Sequence, residues 1–298
     1  MDHELVDILD SNPWSEMATK IRNALETNSL SMGRFVLPMD ERIISEFEAD
    51  HKGDETELRL NLPPQPFIGN PEAKIWIVQF NPGYSSIIDD YDYLGIDNLP
   101  GNDYHKNRNV HSCLRERLGL VCRQYNFEQS EFYPLNAMFH TFGSGFRDGR
   151  GTFLWYETTL FNNADSFFGF IDVESRHRFA SENIFVLEFF PYHSKSFGGM
   201  NFFPFLPSFE FWRSLMQYAF THEKIVACHG LEASKSLTSA AIRSVDGYSN
   251  AKDEGYIYKI VSSENGRSRL LFGRQNVKPL HDSSTRLIDW LSSLQNRT

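Results

Sequence analysis

The sequence predicts an α/β fold: a doubly wound, four-stranded parallel sheet with helices on both faces and a helical elaboration at the N-terminus. Three observations carry this. Four short apolar runs are separated by helical stretches rather than hairpin loops. Each run ends at turn residues such as Asn-Pro-Gly or His-Gly. The first run, within AKIWIVQFNPG at residues 73–83, is dominated by β-branched and aromatic residues, as in a strand buried on both faces.

Taken in order, residues 1–62 read as an N-terminal helical extension. Pro13-Trp14-Ser15 resembles a helix start, the following residues are amphipathic, and ERIISEFEAD forms a second short helix. No repeat and no long linker splits the chain, so residues 63–298 form one α/β domain. Its strands are expected at residues 74–80, 183–190, 224–228 and 268–272. Helices are expected in HSCLRERLGLVCRQY, around residues 155–161, in SFEFWRSLMQYAFTH, in LEASKSLTSAAIRS and in the closing SSTRLIDWLSSLQ. The connection over residues 84–182 far exceeds the dozen or so residues a crossover needs, so it is read as a functional elaboration.

Composition narrows the function. The 298 residues carry a net charge of −10, which disfavours nonspecific attraction to nucleic acid. The distribution of charge is more informative. Arg267, Arg269, Arg274 and Lys278 lie in a stretch free of acids, while acids gather at residues 41–57 and 89–103. That basic stretch reads either as a phosphate contact or as a solvated strand edge. Three cysteines, Cys113, Cys122 and Cys228, give no disulfide framework and no CxxC pair, in keeping with a reducing compartment. No apolar run reaches membrane-span length, and MDHELVDILD lacks a signal-peptide pattern, so a cytoplasmic location is expected. There is no Walker A motif, no Rossmann glycine fingerprint and no HxE with PCxxC, so neither a bound metal nor an organic cofactor is expected.

An apolar strand that stops at Asn81-Pro82-Gly83, after the Pro/Gly-rich approach PPQPFIGNPEA, resembles the first active-site motif of the uracil-DNA glycosylase superfamily. The thymine-DNA and single-strand-selective uracil branches are the most similar. The superfamily has a three-layer α/β/α fold around a central four-stranded parallel sheet. The resemblance in architecture would span most of residues 63–294, while only short motifs match in detail. It implies a DNA glycosylase that flips out a base, hydrolyses its N-glycosidic bond and leaves an abasic site, monofunctional and monomeric, with DNA as its partner. The branches built on a four-cysteine iron–sulfur cluster are excluded by cysteine count.

The resemblance makes Asn81 the first catalytic candidate. Bond cleavage builds positive charge on the sugar and negative charge on the base. An Asn side chain accepts from a water through its oxygen and donates through its nitrogen. His281 is the second, at the place of the family's second motif, where this chain has His281-Asp282-Ser283-Ser284 without the family's proline. A neutral imidazole there would donate to the departing base. The competing reading is a surface His before a capped helix. The resemblance makes the surrounding loop a minor-groove wedge with Leu280 as the intercalating residue. Ser283, with the four basic residues and Leu280, completes the expected DNA contacts.

Base-binding candidates are Tyr84, Glu188, Tyr192 and His193. Tyr84 beside the first motif would stack on a flipped base. Glu188 is an acid in the apolar strand FVLEFFPY. As a carboxylate it would accept from an exocyclic amine and repel a keto oxygen, which favours a modified cytosine, as in some viral DNA, and suggests antiviral defence. The competing reading is a strand-end carboxylate satisfied by backbone N–H groups or Arg. His229-Gly230 reads as a structural turn. Three alternatives stand beside this function: a non-catalytic nucleic-acid sensor on the same fold, a uracil or mismatch repair glycosylase, and an enzyme of free nucleosides.

Overall fold

The computed structural model describes residues 2–27, 34–53, 56–61, 63–79, 118–119, 121–127, 182–194, 206–222, 224–228, 251–253, 259–262 and 269–272. Three helices come first: α1 (His3–Asp10), α2 (Trp14–Glu26) and α3 (Glu41–His51). Strands β1 (Phe67–Gly69), β2 (Ile75–Gln79) and β3 (Ile184–Glu188) follow, then helix α4 (Phe209–Thr221). The remaining strands are β4 (Ile225–Cys228), β5 (Ala251–Asp253), β6 (Lys259–Ser262) and β7 (Arg269–Phe272).

Local chemistry explains the helix starts. Asp2 caps α1 by accepting the Glu4 N–H at 3.0 Å. Asn12 does the same for Trp14 N–H at 3.0 Å, and Pro13 between them supplies a preset φ. Helix α1 packs against α4, where His222 lies 3.1 Å from Asp2 and 3.6 Å from Glu4.

All seven strands form one sheet in the order β1-β3-β2-β4-β7-β6-β5. Strands β3, β2, β4 and β7 are parallel, while β1 is antiparallel to β3, β6 to β7, and β5 to β6. The expected three-layer α/β/α fold around a four-stranded, wholly parallel sheet is therefore corrected. The sheet is mixed, and antiparallel strands extend it on both sides. The physical reason on one side is the Pro-rich run before Phe67. It lies along β3, where Pro66 O accepts Glu188 N–H at 2.9 Å and Pro191 O accepts Gln65 N–H at 2.7 Å. These bonds satisfy backbone groups that β3 would otherwise leave bare.

Gly69 closes β1 with φ +99°, and a Cβ there would stand 2.4 Å from the Ile184 carbonyl oxygen. Only glycine fits so close an approach of two backbones.

Register divides the sheet into two faces. Phe67, Trp76, Val78, Phe185 and Leu187 share one face and join the main core. Helix α4 packs there: Trp76 and Tyr218 ring centres are 6.3 Å apart, and Phe67 and Phe211 are 6.1 Å apart. The N-terminal helices enter the same core through Trp14, Met17, Ile21 and Phe47. On the other face Ile68, Ile184 and Val186 are also buried. Every residue of β3 is therefore covered, flanked by two strands and shielded on both sides.

Candidate functional site

Parallel strands end together. Gln79 pairs with Glu188, Val78 with Cys228, and Cys228 with Phe272. These pairings put the carboxyl ends of β2, β3, β4 and β7 at one edge of the sheet. From β2 the chain goes to β3 on one side, and from β4 it goes on toward β7 on the other. The carboxyl ends of β2 and β4 thus form a topological switch point, the place where open α/β sheets bind ligands. Asn81 follows two residues after Gln79 in the sequence, and His229-Gly230 directly follows β4. The structural turn expected at His229-Gly230 lies outside the described residues.

The chain matches no protein-family model, and neither a curated protein nor a solved structure matches it. The glycosylase resemblance accordingly stands on its motifs alone.

Glu188 is the described candidate at this edge. It is the last residue of β3 and only 2% exposed. Its Oε2 is buried without a hydrogen-bond partner. Burial alone pushes its carboxyl well above the usual carboxylate range. Strand alternation places Glu188 on the face of Ile184 and Val186, opposite Phe185 and Leu187.

Tyr192 and His193 stand differently. The Tyr192 hydroxyl donates to Asp40 Oδ2 at 2.8 Å and accepts the Leu37 N–H at 3.2 Å. Burial and then the Asp40 carboxylate hold its pKa well above the ordinary tyrosine value. His193 Nε2 donates to Pro63 O at 3.0 Å, and its carbonyl accepts Arg59 N–H at 2.8 Å. Both side chains are buried. They bind the segment after β3 to the N-terminal part of the chain.

Asp40 was not singled out from the sequence. Preceding ERIISEFEAD, it reads as a helix cap, yet its side chain makes no cap bond to α3. It turns inward instead, accepting Ser208 N–H at 3.0 Å, Ser208 O–H at 2.6 Å and the Tyr192 hydroxyl. Burial raises its pKa, and the bonds from Ser208 and Tyr192 pull the other way. Three chain segments meet at this one carboxylate. No local sequence signal could have joined them.

A cavity of about 20 Å³ is lined by Phe67, Glu188, Phe189, Ser208 and Trp212 among others. It has room for a water and not for a nucleobase.

Arg269 opens β7, pairing with Ile225 and Ser262. It therefore lies at the amino end of that strand, roughly 10 Å from the carboxyl edge at about 3.3 Å per residue. Asn81, His281, Tyr84, Arg267, Arg274, Lys278, Leu280 and Ser283 lie outside the described residues. Among the described residues no His, Cys, Asp and Glu cluster is arranged to hold a metal ion. No described helix is long and apolar enough to cross a membrane.

Proposed function

We propose that this chain is a DNA base glycosylase, which flips a nucleotide from the duplex, hydrolyses its N-glycosidic bond and leaves an abasic site. One observation carries the reading: β2, whose sequence runs directly into Asn81-Pro82-Gly83, is flanked by parallel strands at the sheet's switch point. Asn81 would hold the attacking water against the anomeric carbon, and His281 would donate to the departing base. Both roles come from the resemblance and from the chemistry of the bond. DNA is then the partner, and the enzyme acts as a cytoplasmic monomer without a cofactor. Arg274 and Lys278 follow the carboxyl end of β7 in the sequence, which favours them over Arg269 as phosphate contacts.

The long connection over residues 84–182 favours a bulky base, a modified cytosine in viral DNA, over plain uracil. The test is an abasic-site assay on a panel of DNAs carrying uracil, thymine mismatches and modified cytosines, followed by alkaline strand scission. Scission with modified cytosine above all others is the expected result. Scission with uracil alone would make the chain a repair enzyme. Binding of the panel with no scission would replace the glycosylase by a sensor.

A further inference from the structure

One histidine fastens the first turn of α1. His222, the residue that closes α4, has both ring nitrogens engaged. Nδ1 lies 3.1 Å from the Tyr218 carbonyl oxygen. Nε2 lies 3.1 Å from Asp2 Oδ2 and 3.6 Å from Glu4 Oε2. The ring also stacks on Tyr218, with centres 4.1 Å apart.

A carbonyl oxygen only accepts, so Nδ1 carries a proton. A carboxylate also only accepts, so Nε2 carries one as well. A bare Nε2 would aim its lone pair at two carboxylates. The arrangement therefore holds one proton more than a neutral imidazole and two carboxylates supply. Imidazole is the stronger base, so that proton sits on the ring. The geometry is that of an imidazolium between two acids, at the C-terminus of α4, where a cation is favoured.

The neighbouring titratable groups are Tyr218 on α4, Lys224 after it and Glu72 before β2. Lys224 Nζ donates to the Glu72 carbonyl oxygen at 2.7 Å and lies 5.7 Å from the centre of the Tyr218 ring. Burial, then the charges of Asp2, Glu4 and Glu72, raise the Tyr218 pKa. Burial lowers that of Lys224, against the pull of Glu72 and Asp2.

Asp2 serves twice. Its Oδ1 accepts the Glu4 N–H as the cap of α1, and its Oδ2 faces His222. The carboxylate that starts the helix is thus the one that docks it. With 8 residues, α1 is too short to persist as a helix in water by itself. Leu5 is its one fully covered side chain, while Ile8 and Leu9 are only partly buried. A change at the first turn therefore reaches the whole helix.

We propose that His222 is a pH-sensitive latch, whose imidazolium fastens α1 to α4 and whose loss of a proton releases α1 while the sheet stays folded. Imidazole side chains titrate between about pH 5 and 8. The docked form holds the proton and the released form gives it up, so docking is strongest at the acid end and weakens as pH rises. The device does not rest on the glycosylase reading.

The experiment is hydrogen exchange of the full chain, read by mass spectrometry at about pH 5.5 and about pH 8, with labelling times scaled to the intrinsic rate at each pH. In wild type, peptides covering α1 should open about three- to tenfold more often at the higher pH, the scale of two partly exposed ion pairs. In His222→Gln, which cannot gain the proton, α1 should open equally often at both. Peptides covering β3 should exchange far more slowly than α1 throughout. Nitrogen-15 resonance of the wild-type ring needs no variant: both nitrogens should be protonated at the lower pH and Nε2 bare at the higher. Equal opening of wild-type α1 at both pH values would overturn the inference, as would a ring that keeps one protonation state. A pH dependence that survives in His222→Gln would assign the effect to another group, such as Lys224, and overturn it too. Release of α1 and β3 at one common rate would make the event global unfolding, and the latch would fall.

Discussion

Asp40 and Glu188 are both buried carboxyl groups, 0% and 2% exposed, and they are treated in opposite ways. Asp40 accepts from Ser208 N–H, Ser208 O–H and Tyr192 O–H, so both of its oxygens are used to hold the fold. Glu188 Oε2 has no such partner among the described residues. Around Asp40 the hydrogen bonds work against the effect of burial, whereas burial acts alone on Glu188. A satisfied buried acid joins segments. An unsatisfied one beside a water-sized cavity does not.

The largest expected effect comes from removing the satisfied acid. Asp40→Ala leaves three buried donors without their acceptor and should lower unfolding free energy by roughly 3 kcal/mol or more. Urea unfolding measures it, and a loss under about 1 kcal/mol would mean the network is not structural. Next comes Gly69→Ala, which forces a Cβ against Ile184 O at a positive φ. It should cost about 1–3 kcal/mol and loosen β1 from the strand that carries Glu188. Hydrogen exchange of the Glu188 N–H, which donates to Pro66 O, should accelerate in this variant. An unchanged rate would show that β1 does not guard β3.

The last effect has the opposite sign and depends on pH. Because the Glu188 pKa is raised in the folded chain, the native state binds more protons than the unfolded one above pH 4.5. Wild-type stability from this group is full at acid pH and is lost as pH rises toward the native pKa. Glu188→Gln has no such loss. The two proteins should match near pH 4, and the variant should pull ahead at higher pH by at most about 1.4 kcal/mol per pH unit. A variant less stable than wild type at neutral pH would mean that the carboxylate is ionised and answered.

Sequence reading reached different depths in different regions. Apolar runs disclosed β2, β3, β4 and β7, because β-branched and aromatic residues crowd into buried strands. The antiparallel strands that overturned the all-parallel sheet were not legible. β1 has three residues behind a Pro-rich run, and β5 is Ala-Lys-Asp, too short and too polar to show a period. Glu188 stood out because an acid in an apolar strand breaks the pattern. Asp40 did not, since its partners lie 152 and 168 residues away. Tyr192 and His193 are base-binding candidates from their place after a strand. Their hydrogen-bond partners in the N-terminal part of the chain, Asp40 and Pro63, are what the linear pattern conceals.

The central claim is that Asn81 positions the water that releases a base. The most direct measurement is single-turnover base release by wild type and Asn81→Ala on the DNA that wild type cleaves best, read as abasic sites after alkali. The expected result is a folded variant, with the same circular dichroism and DNA affinity, that releases base about a hundredfold more slowly or worse. An undiminished rate in Asn81→Ala would contradict the account.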